Sequence, residues 1–546
     1  MTTTHPDDPA PRASEAPAAQ ETAPARWLGA AAAGVLLAAV GAVVAWAVRT
    51  NGEFSYPLDD PYIHLRLAQN LFDTGALGIN PGEFASAASS MSWPAIMAPL
   101  TGLFDTAIGI PLVLATIASV VTLVLIDPWA RRREVRLSLR IALLFGMVVI
   151  VPLVLVSLTG MEHALQVGLS ILLVSLCIDT VGDDAERTSR PWVIGLVALA
   201  LAATRLEIIF VAPPLFVLLA MHRRWRSVVG LCVGAALPLI AIVAIDLGQG
   251  WPPLPASISA KSLAVNDGIA RFLPNPDYIS IAIGRRPRFL AVVVVLGLMV
   301  WLGHRLGPLL DRRALRWGLV ALSITALHVC FSQTGWLYRY EAYMIALCLC
   351  ASALLGESIL RHREELQLGV GLRRAVLAAL VVFIGLAVFD GVRVNLVGLT
   401  GIREIHQQQI QMARFAAANC PGCRVVLNDI GAVALYGDGT ITDAVGLANR
   451  AVIEAKLDGD YDAATIDRIA RDEGATWAMI YPGWQDGIQE VPESWTLVGT
   501  WSWPHNEVVG GKDVAFYAID PAYVDELREQ FDAWPSPQGA RSIPAA

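Results

Sequence analysis

Two adjacent carboxylates, Asp59 and Asp60, head the stretch YPLDDPYIHLRLAQNLFDTGALGINPGE that begins at Tyr56. A carboxylate within hydrogen-bond reach of a hydroxyl can take its proton, which is the task of a general base. The dipeptide Asp60-Pro61 is also a helix start, with Asp as N-cap and Pro at the first helical position. It predicts a helix over 61–72 that ends at the Asp-Thr-Gly of 73–75, with Asp60 as its cap. A carboxylate that accepts backbone N–H bonds has a lowered pKa and is a poor base. Asp59 carries no such duty, so it is the expected proton acceptor. His64 follows Asp60 by one turn and could face the same cavity, with a structural role as the alternative.

The elements that must hold these residues follow from composition. The 546 residues are 55% hydrophobic and 16% charged, with a mean hydropathy of +0.53. Soluble domains carry about 25% charged residues. Apolar runs near the ~20 residues that cross a bilayer recur through the first 390 positions. The expected fold class is a multi-pass α-helical membrane protein with a soluble C-terminal end. Spans are expected near 27–48, 107–126, 141–158, 163–179, 191–204, 207–221, 227–246, 289–303, 316–332, 342–356 and 375–389, about eleven in all. Residues 1–26, rich in Ala, Pro and acids, are expected to form a disordered cytoplasmic tail. The run 27–48 is longer than the roughly 7–15 residues of a signal-peptide core, so it is read as an uncleaved span.

Arginine sets the sidedness, because cytoplasmic loops are enriched in Lys and Arg. The loops RRREVRLSLR (131–140), DDAERTSR (183–190), HRRWR (222–226), HRLGPLLDRRALR (304–316) and the basic stretch 361–374 fall on one side if the N-terminus is cytoplasmic. The chain would then sit in the plasma membrane with loops 49–106 and 247–288 facing outward. Within the first, Ser92–Leu103 is apolar but about half a span long, and reads as a re-entrant or interfacial helix. Arg285, Arg286 and Arg288 break the pattern; they either bind a lipid phosphate or mark a local slip in topology.

The membrane part would cover 27–396, and 397–546 would be an extracytoplasmic α/β domain. There a helix over about 401–418 precedes strands RVVLND and GTITDA, a helix AATIDRIARDEG, strands ATWAMIY, WTLVGTW and DVAFYAI, and a closing helix AYVDELREQFDAW. Five cysteines (Cys177, Cys232, Cys330, Cys348, Cys350) lie in apolar runs and are expected as small core residues. Cys420 and Cys423 form CPGC, which could be a redox motif, half a metal site or a local disulfide. No second pair follows at zinc spacing, and outside the membrane the disulfide is the expected form. A net charge of −8 with no clustered basic face speaks against nucleic acid as a partner.

These segments together resemble the polyprenyl-phosphate-sugar-dependent glycosyltransferases of the GT-C superfamily, including the arabinofuranosyltransferase-like and mannosyltransferase-like members. That family places an acidic pair in the first outer loop, as LDDPYIHLRL does here, with a Ser-rich stretch before Trp (SAASSMSW) following. LTGMEHAL (158–165) is similar to its Gly-x-Glu-x-x-Leu span start, and LAATRLEIIF (201–210) to its Thr-Arg-Pro-Glu turn, with Leu206 in place of Pro. LPASISAKS (254–262) resembles its Leu-Pro…Lys loop, GWLYRYEAYMIAL (335–347) its Tyr/Arg segment, and LNDIGAVALYGDGTITDAVGL (427–447) its outer-domain strand-turn.

The resemblance implies an inverting transfer of a sugar from a polyprenyl-phosphate donor to an envelope glycan, lipid or protein acceptor at the outer face. Asp59 and Asp60 would be the catalytic acids. Lys261, Arg339 and His64 would attend the donor phosphate, with Glu162, Arg205, Glu207 and Tyr338 in support. An ion pair of Arg205 with Glu162 or Glu207 is the competing role for those three residues. No metal ligand set is expected and no cofactor is required, although a divalent metal on the acids is the open alternative. Rival readings are a transporter or flippase of lipid-linked sugar and a noncatalytic assembly subunit. Mid-span acids and an inverted repeat, the marks of the former, are not seen.

Overall fold

The computed structural model describes residues 27–104, 107–182, 190–256, 274–483 and 488–545. The expected tail and Lys261 therefore lie outside the described residues. Helices stand at every apolar run. Among the described residues, eight are long and apolar enough to cross a membrane: Leu28–Asn51, Ala107–Arg131, His163–Thr180, Trp225–Gly248, Pro287–Arg305, Arg312–Phe331, Ala342–Arg361 and the stretch Val370–Asn419. Leu137–Val149, Pro191–Thr204 and Ile208–Met221 are shorter. Large apolar side chains such as Val113, Leu125, Val381 and Phe389 stand exposed on the flanks of this bundle, while Leu123, Leu173 and Leu347 fill its interior. Exposed apolar flanks around an apolar interior fit a multi-pass membrane protein, since lipid solvates what water would not. Cys177, Cys348 and Cys350 are buried as expected, whereas Cys232 faces outward.

Two elements differ from expectation. The run 141–158 is two helices, Leu137–Val149 and Leu153–Leu158. Pro152 lies at the break, where it lacks an N–H and disfavours helix at the residue before it. The last span and the helix expected at 401–418 are not separate. One helix of 38 residues, Val370–Gln407, runs through the expected boundary at 396 and is followed directly by Gln409–Asn419. The glycines of this region serve close packing. A Cβ at Gly391 would meet the Val149 carbonyl at 2.6 Å, at Gly398 the Leu155 side chain at 2.4 Å, and at Gly401 the Pro57 carbonyl at 2.8 Å. Spaced seven and three apart, they lie on one face of the helix.

Beyond the bundle, six strands form one sheet: β1 (Arg424–Leu427), β2 (Thr440–Asp443), β3 (Ala475–Ile480), β4 (Thr496–Ser502), β5 (Asp513–Ala518) and β6 (Arg541–Pro544). The order is β2-β1-β3-β5-β4-β6. β1 pairs in parallel with β2 and β3, and the remaining pairs are antiparallel. The chain leaves β1 for β2 on one side and returns to β3 on the other. That reversal opens a crevice at the carboxyl ends of the parallel strands. Phe415 of the Gln409–Asn419 helix packs edge-on against Trp477, Trp501 and Phe516 at 5.1–5.7 Å, fixing the end of the long helix to the sheet.

Candidate active site

The acid pair sits where the bundle meets the sheet, beside a cavity of about 130 Å³. The Asp60–Thr74 helix, the turn 333–340, the end of the long helix and the loops after β1 and β2 wall it. That helix has Pro61 in its first turn, and Gly75 ends it with φ +76 and an N–H bonded to the Leu71 carbonyl.

The two acids divide their work differently from expectation. The helix begins at Asp60, with Asp59 at the N-cap position and no side-chain capping bond. Asp59 is buried, and both of its oxygens accept backbone N–H bonds from the sheet domain. Gly431 donates to Oδ2 at 2.5 Å and Ala432 to Oδ1 at 2.8 Å. This approach needs a glycine, because a Cβ at Gly431 would lie 2.4 Å from the Asp59 carbonyl oxygen. Burial pushes the Asp59 carboxyl up to about 6, against the lowering effect of the two N–H bonds. Asp60 is the more open acid, 28% exposed, and its carboxylate pairs with Arg339 Nη2 at 2.9 Å. The expected cap is thus an ion-paired acid on the cavity, and the expected free acid is a latch between loop and sheet.

Arg339 reaches Asp60 from an unusual turn. Gly335, Trp336, Leu337 and Tyr338 all have positive φ, at +110, +47, +56 and +61. Left-handed backbone costs about 1–2 kcal/mol for each non-glycine residue, so its surroundings must hold it. Glu341, fully buried, accepts the Gly335 N–H at 2.8 Å and pairs with Arg288 at 3.3 Å. Arg286 and Arg288 each lie 5.0 Å from the Tyr338 ring. Tyr338, expected as a supporting residue, therefore belongs to this brace, while Arg339 and Tyr340 line the cavity. Arg286 and Arg288, two of the three arginines that broke the charge pattern, are part of this brace.

His64 lines the cavity, and Ser89 Oγ stands 3.3 Å both from its Nε2 and from Glu162 Oε1. Burial pulls the imidazole below its ordinary pKa, against the opposing charge of Glu162. A neutral His64 offers a hydrogen bond and no positive charge. Behind it Arg205 pairs with Glu162 at 2.9 Å and with Glu207. Glu162, Arg205 and Glu207 are a buried ion cluster backing His64, the competing role that their types suggested.

Residues that the sequence reading missed come from the sheet domain. Asp429 follows β1, lines the cavity, and accepts from Gln409 Nε2 at 2.7 Å. Burial and the neighbouring Asp59 and Asp60 hold its carboxyl well above the usual range. Its position just past the carboxyl end of a parallel strand was the available signal. Cys420 and Cys423 are joined as a disulfide at the entry to β1. Among the described residues, no three His, Cys, Asp or Glu side chains converge closely enough to hold a metal ion.

Residues 401–517 match a family model described as a domain of unknown function (DUF8728). The match takes in Gln409, Asp429, the strands β1 to β4 and all but the last residue of β5. No curated protein matches the chain.

Proposed function

We propose that this protein is an inverting glycosyltransferase that moves a sugar from a polyprenyl-phosphate donor to an acceptor hydroxyl of a cell-envelope glycan, lipid or protein. In this reading about eleven helices lie in the plasma membrane, with the sheet domain on the outer face, where lipid-linked sugars are consumed. The observation that carries it is the Asp60–Arg339 pair on a cavity between an apolar bundle and a sheet domain. It sets a proton acceptor beside a cation that can take a phosphate.

The acceptor oxygen forms its bond to the anomeric carbon as the bond from that carbon to the phosphate oxygen breaks. The hydroxyl proton passes to the Asp60 carboxylate, and the lipid phosphate leaves with its charge facing Arg339. An arginine-paired carboxylate is a weak base. A donor phosphate that draws Arg339 toward itself strengthens Asp60, so the base is released only when the donor is bound. Arg339 can grip phosphate in bidentate fashion. It also already supplies the positive charge that a metal ion would bring to Asp60, so chelation is expected to leave turnover intact.

The test is turnover of polyprenyl-phosphate sugars by the purified full-length protein, with and without EDTA, against Asp60→Asn and Arg339→Lys. Absence of turnover with every such donor, by protein that melts cooperatively, would remove the reading. Loss of turnover in EDTA with recovery in Mg²⁺ or Mn²⁺ would replace Arg339 by a metal in the charge role.

A further inference from the structure

The cavity has two unlike walls, each with hydrogen-bonding capacity that the protein itself does not use. On the bundle side Arg339 is 1% exposed, and its Nε and Nη1 have no hydrogen-bond partner. On the sheet side Gln409 is equally buried, and its Oε1 has none. The Gln409 amide is oriented by its own nitrogen, which donates to Asp429 Oδ2 at 2.7 Å and to Tyr481 Oη at 2.9 Å. Tyr481 in turn donates to Gln408 Oε1 at 2.8 Å. The chain of bonds fixes the side chain, so the vacant oxygen is a built acceptor. A buried acceptor without a partner is destabilising, and a ligand hydroxyl would satisfy it.

We infer that the Gln409–Asp429 wall is a subsite for a neutral, hydroxyl-rich ligand, the sugar of a glycan acceptor, distinct from the Arg339 wall that takes the phosphate. It deepens the transferase reading and rests on it for the word acceptor. Charge sorts the two ligands. Arg339 is the one Lys or Arg among the described residues that line the cavity, and it lies on the opposite wall, so a phosphate is drawn there and not to Gln409. A sugar hydroxyl carries no charge, can donate to Gln409 Oε1, and can meet Asp429 beside it. Asp429, whose carboxyl is raised by burial and the neighbouring acids, stands beside the Gln409 acceptor as a second hydrogen-bonding group. A ligand that both donates and accepts, as every sugar hydroxyl does, satisfies both.

The wall also has a clasp. Val508, Val509 and Gly510, in the β4–β5 loop, line the cavity. Glu404 on the long helix holds that loop by accepting the N–H groups of Glu507, Val508 and Val509 at 2.8, 2.7 and 3.3 Å. Gln409 and this loop thus line the same cavity.

The experiment uses full-length protein in detergent and two probes, methyl glycosides of pentoses and hexoses, and inorganic phosphate, followed by saturation-transfer NMR and calorimetry. Gln409→Leu should weaken methyl glycoside binding at least tenfold while leaving phosphate affinity within about twofold of the parent. Arg339→Lys should do the reverse. Retained phosphate binding shows that the cavity of Gln409→Leu is folded. Should Gln409→Leu lose both probes together, Asp429→Asn, which keeps the shape and a hydrogen-bonding group, decides: glycoside binding near the parent supports the subsite, and loss of it refutes it. Unchanged glycoside affinity in Gln409→Leu, or no glycoside binding by the parent, also overturns the inference. Turnover is scored separately. Glycoside binding at Gln409 without transfer from any lipid-phosphate sugar leaves the subsite standing and removes the transferase reading; transfer without glycoside binding does the opposite.

Discussion

Replacing each acid of the pair by its amide should separate a latch from a base. In Asp59 both oxygens are committed, one to Gly431 N–H and one to Ala432 N–H. Asn keeps one acceptor oxygen and sets its NH₂ against the other N–H, donor facing donor. One charge-assisted bond, worth about 1.5–3 kcal/mol, is lost, and a buried N–H is left unpaired at about 1–3 kcal/mol. Removing a buried charge returns part of this, so a net loss of about 2 kcal/mol is expected at the junction. That is roughly a thirtyfold shift toward an undocked sheet domain. Asp60→Asn retains an oxygen for Arg339 but cannot take a proton, so turnover should fall by about 10²–10⁴ with the junction intact. The assay pairs turnover with hydrogen exchange of the 428–436 segment in one detergent preparation. Full protection in Asp59→Asn with turnover abolished, alongside an active Asp60→Asn, would refute the assignment and make Asp59 the base.

Proton linkage gives a second expectation. The folded state binds the protons of Asp59 and Asp429 more tightly than the unfolded chain, since both carboxyls are raised. Their contribution is complete below the ordinary carboxylate pKa and fades as pH rises through the folded values, about 6 for Asp59. Protection of the 428–436 segment should therefore increase from pH 8 to pH 5, and Asp429→Asn should flatten that slope; a slope of opposite sign would show that other groups govern the junction. Gly431→Ala places a methyl 2.4 Å from the Asp59 carbonyl oxygen and should cost about 1–3 kcal/mol at the same contact, measured by thermal melting. For sidedness, cysteines at Asp73 or Asn449 should react with an impermeant thiol reagent on intact cells, and cysteines at Ser138 or Arg223 should not; the reverse pattern would put the acid pair in the cytoplasm.

Much of the architecture was legible because its signals are local. Apolar length located the helices, and alternation with β-branched and aromatic residues located β1 to β5. The errors came where long-range packing reassigned a local signal. A boundary was expected at 396, but Gly391, Gly398 and Gly401 bring one unbroken helix against Val149, Leu155 and Pro57. Asp60-Pro61 read as a cap, but a cation 279 residues away claims the carboxylate. Asp59 looked free because the N–H groups that occupy it lie more than 370 positions downstream. Asp429 was read as the last residue of the strand RVVLND, whereas β1 ends at Leu427. Its membership in the site depends on how the sheet docks on the first loop, which no single segment encodes.

The uninterrupted Val370–Gln407 helix has a mechanical consequence. At 1.5 Å per residue it is about 57 Å long, nearly twice the ~30 Å of a bilayer core. Its lower part offers an apolar surface to lipid, and its upper end carries Ile405 to the cavity, holds the β4–β5 loop through Glu404 and leads into Gln409. A rod of that kind transmits tilt. If bilayer thickness sets its angle, a change of a few degrees at the apolar end moves the far end by several ångströms, on the scale of a hydrogen bond. The cavity wall would then follow the membrane's own dimensions, and reconstitution in lipids of increasing acyl length should trace an optimum in activity instead of a plateau.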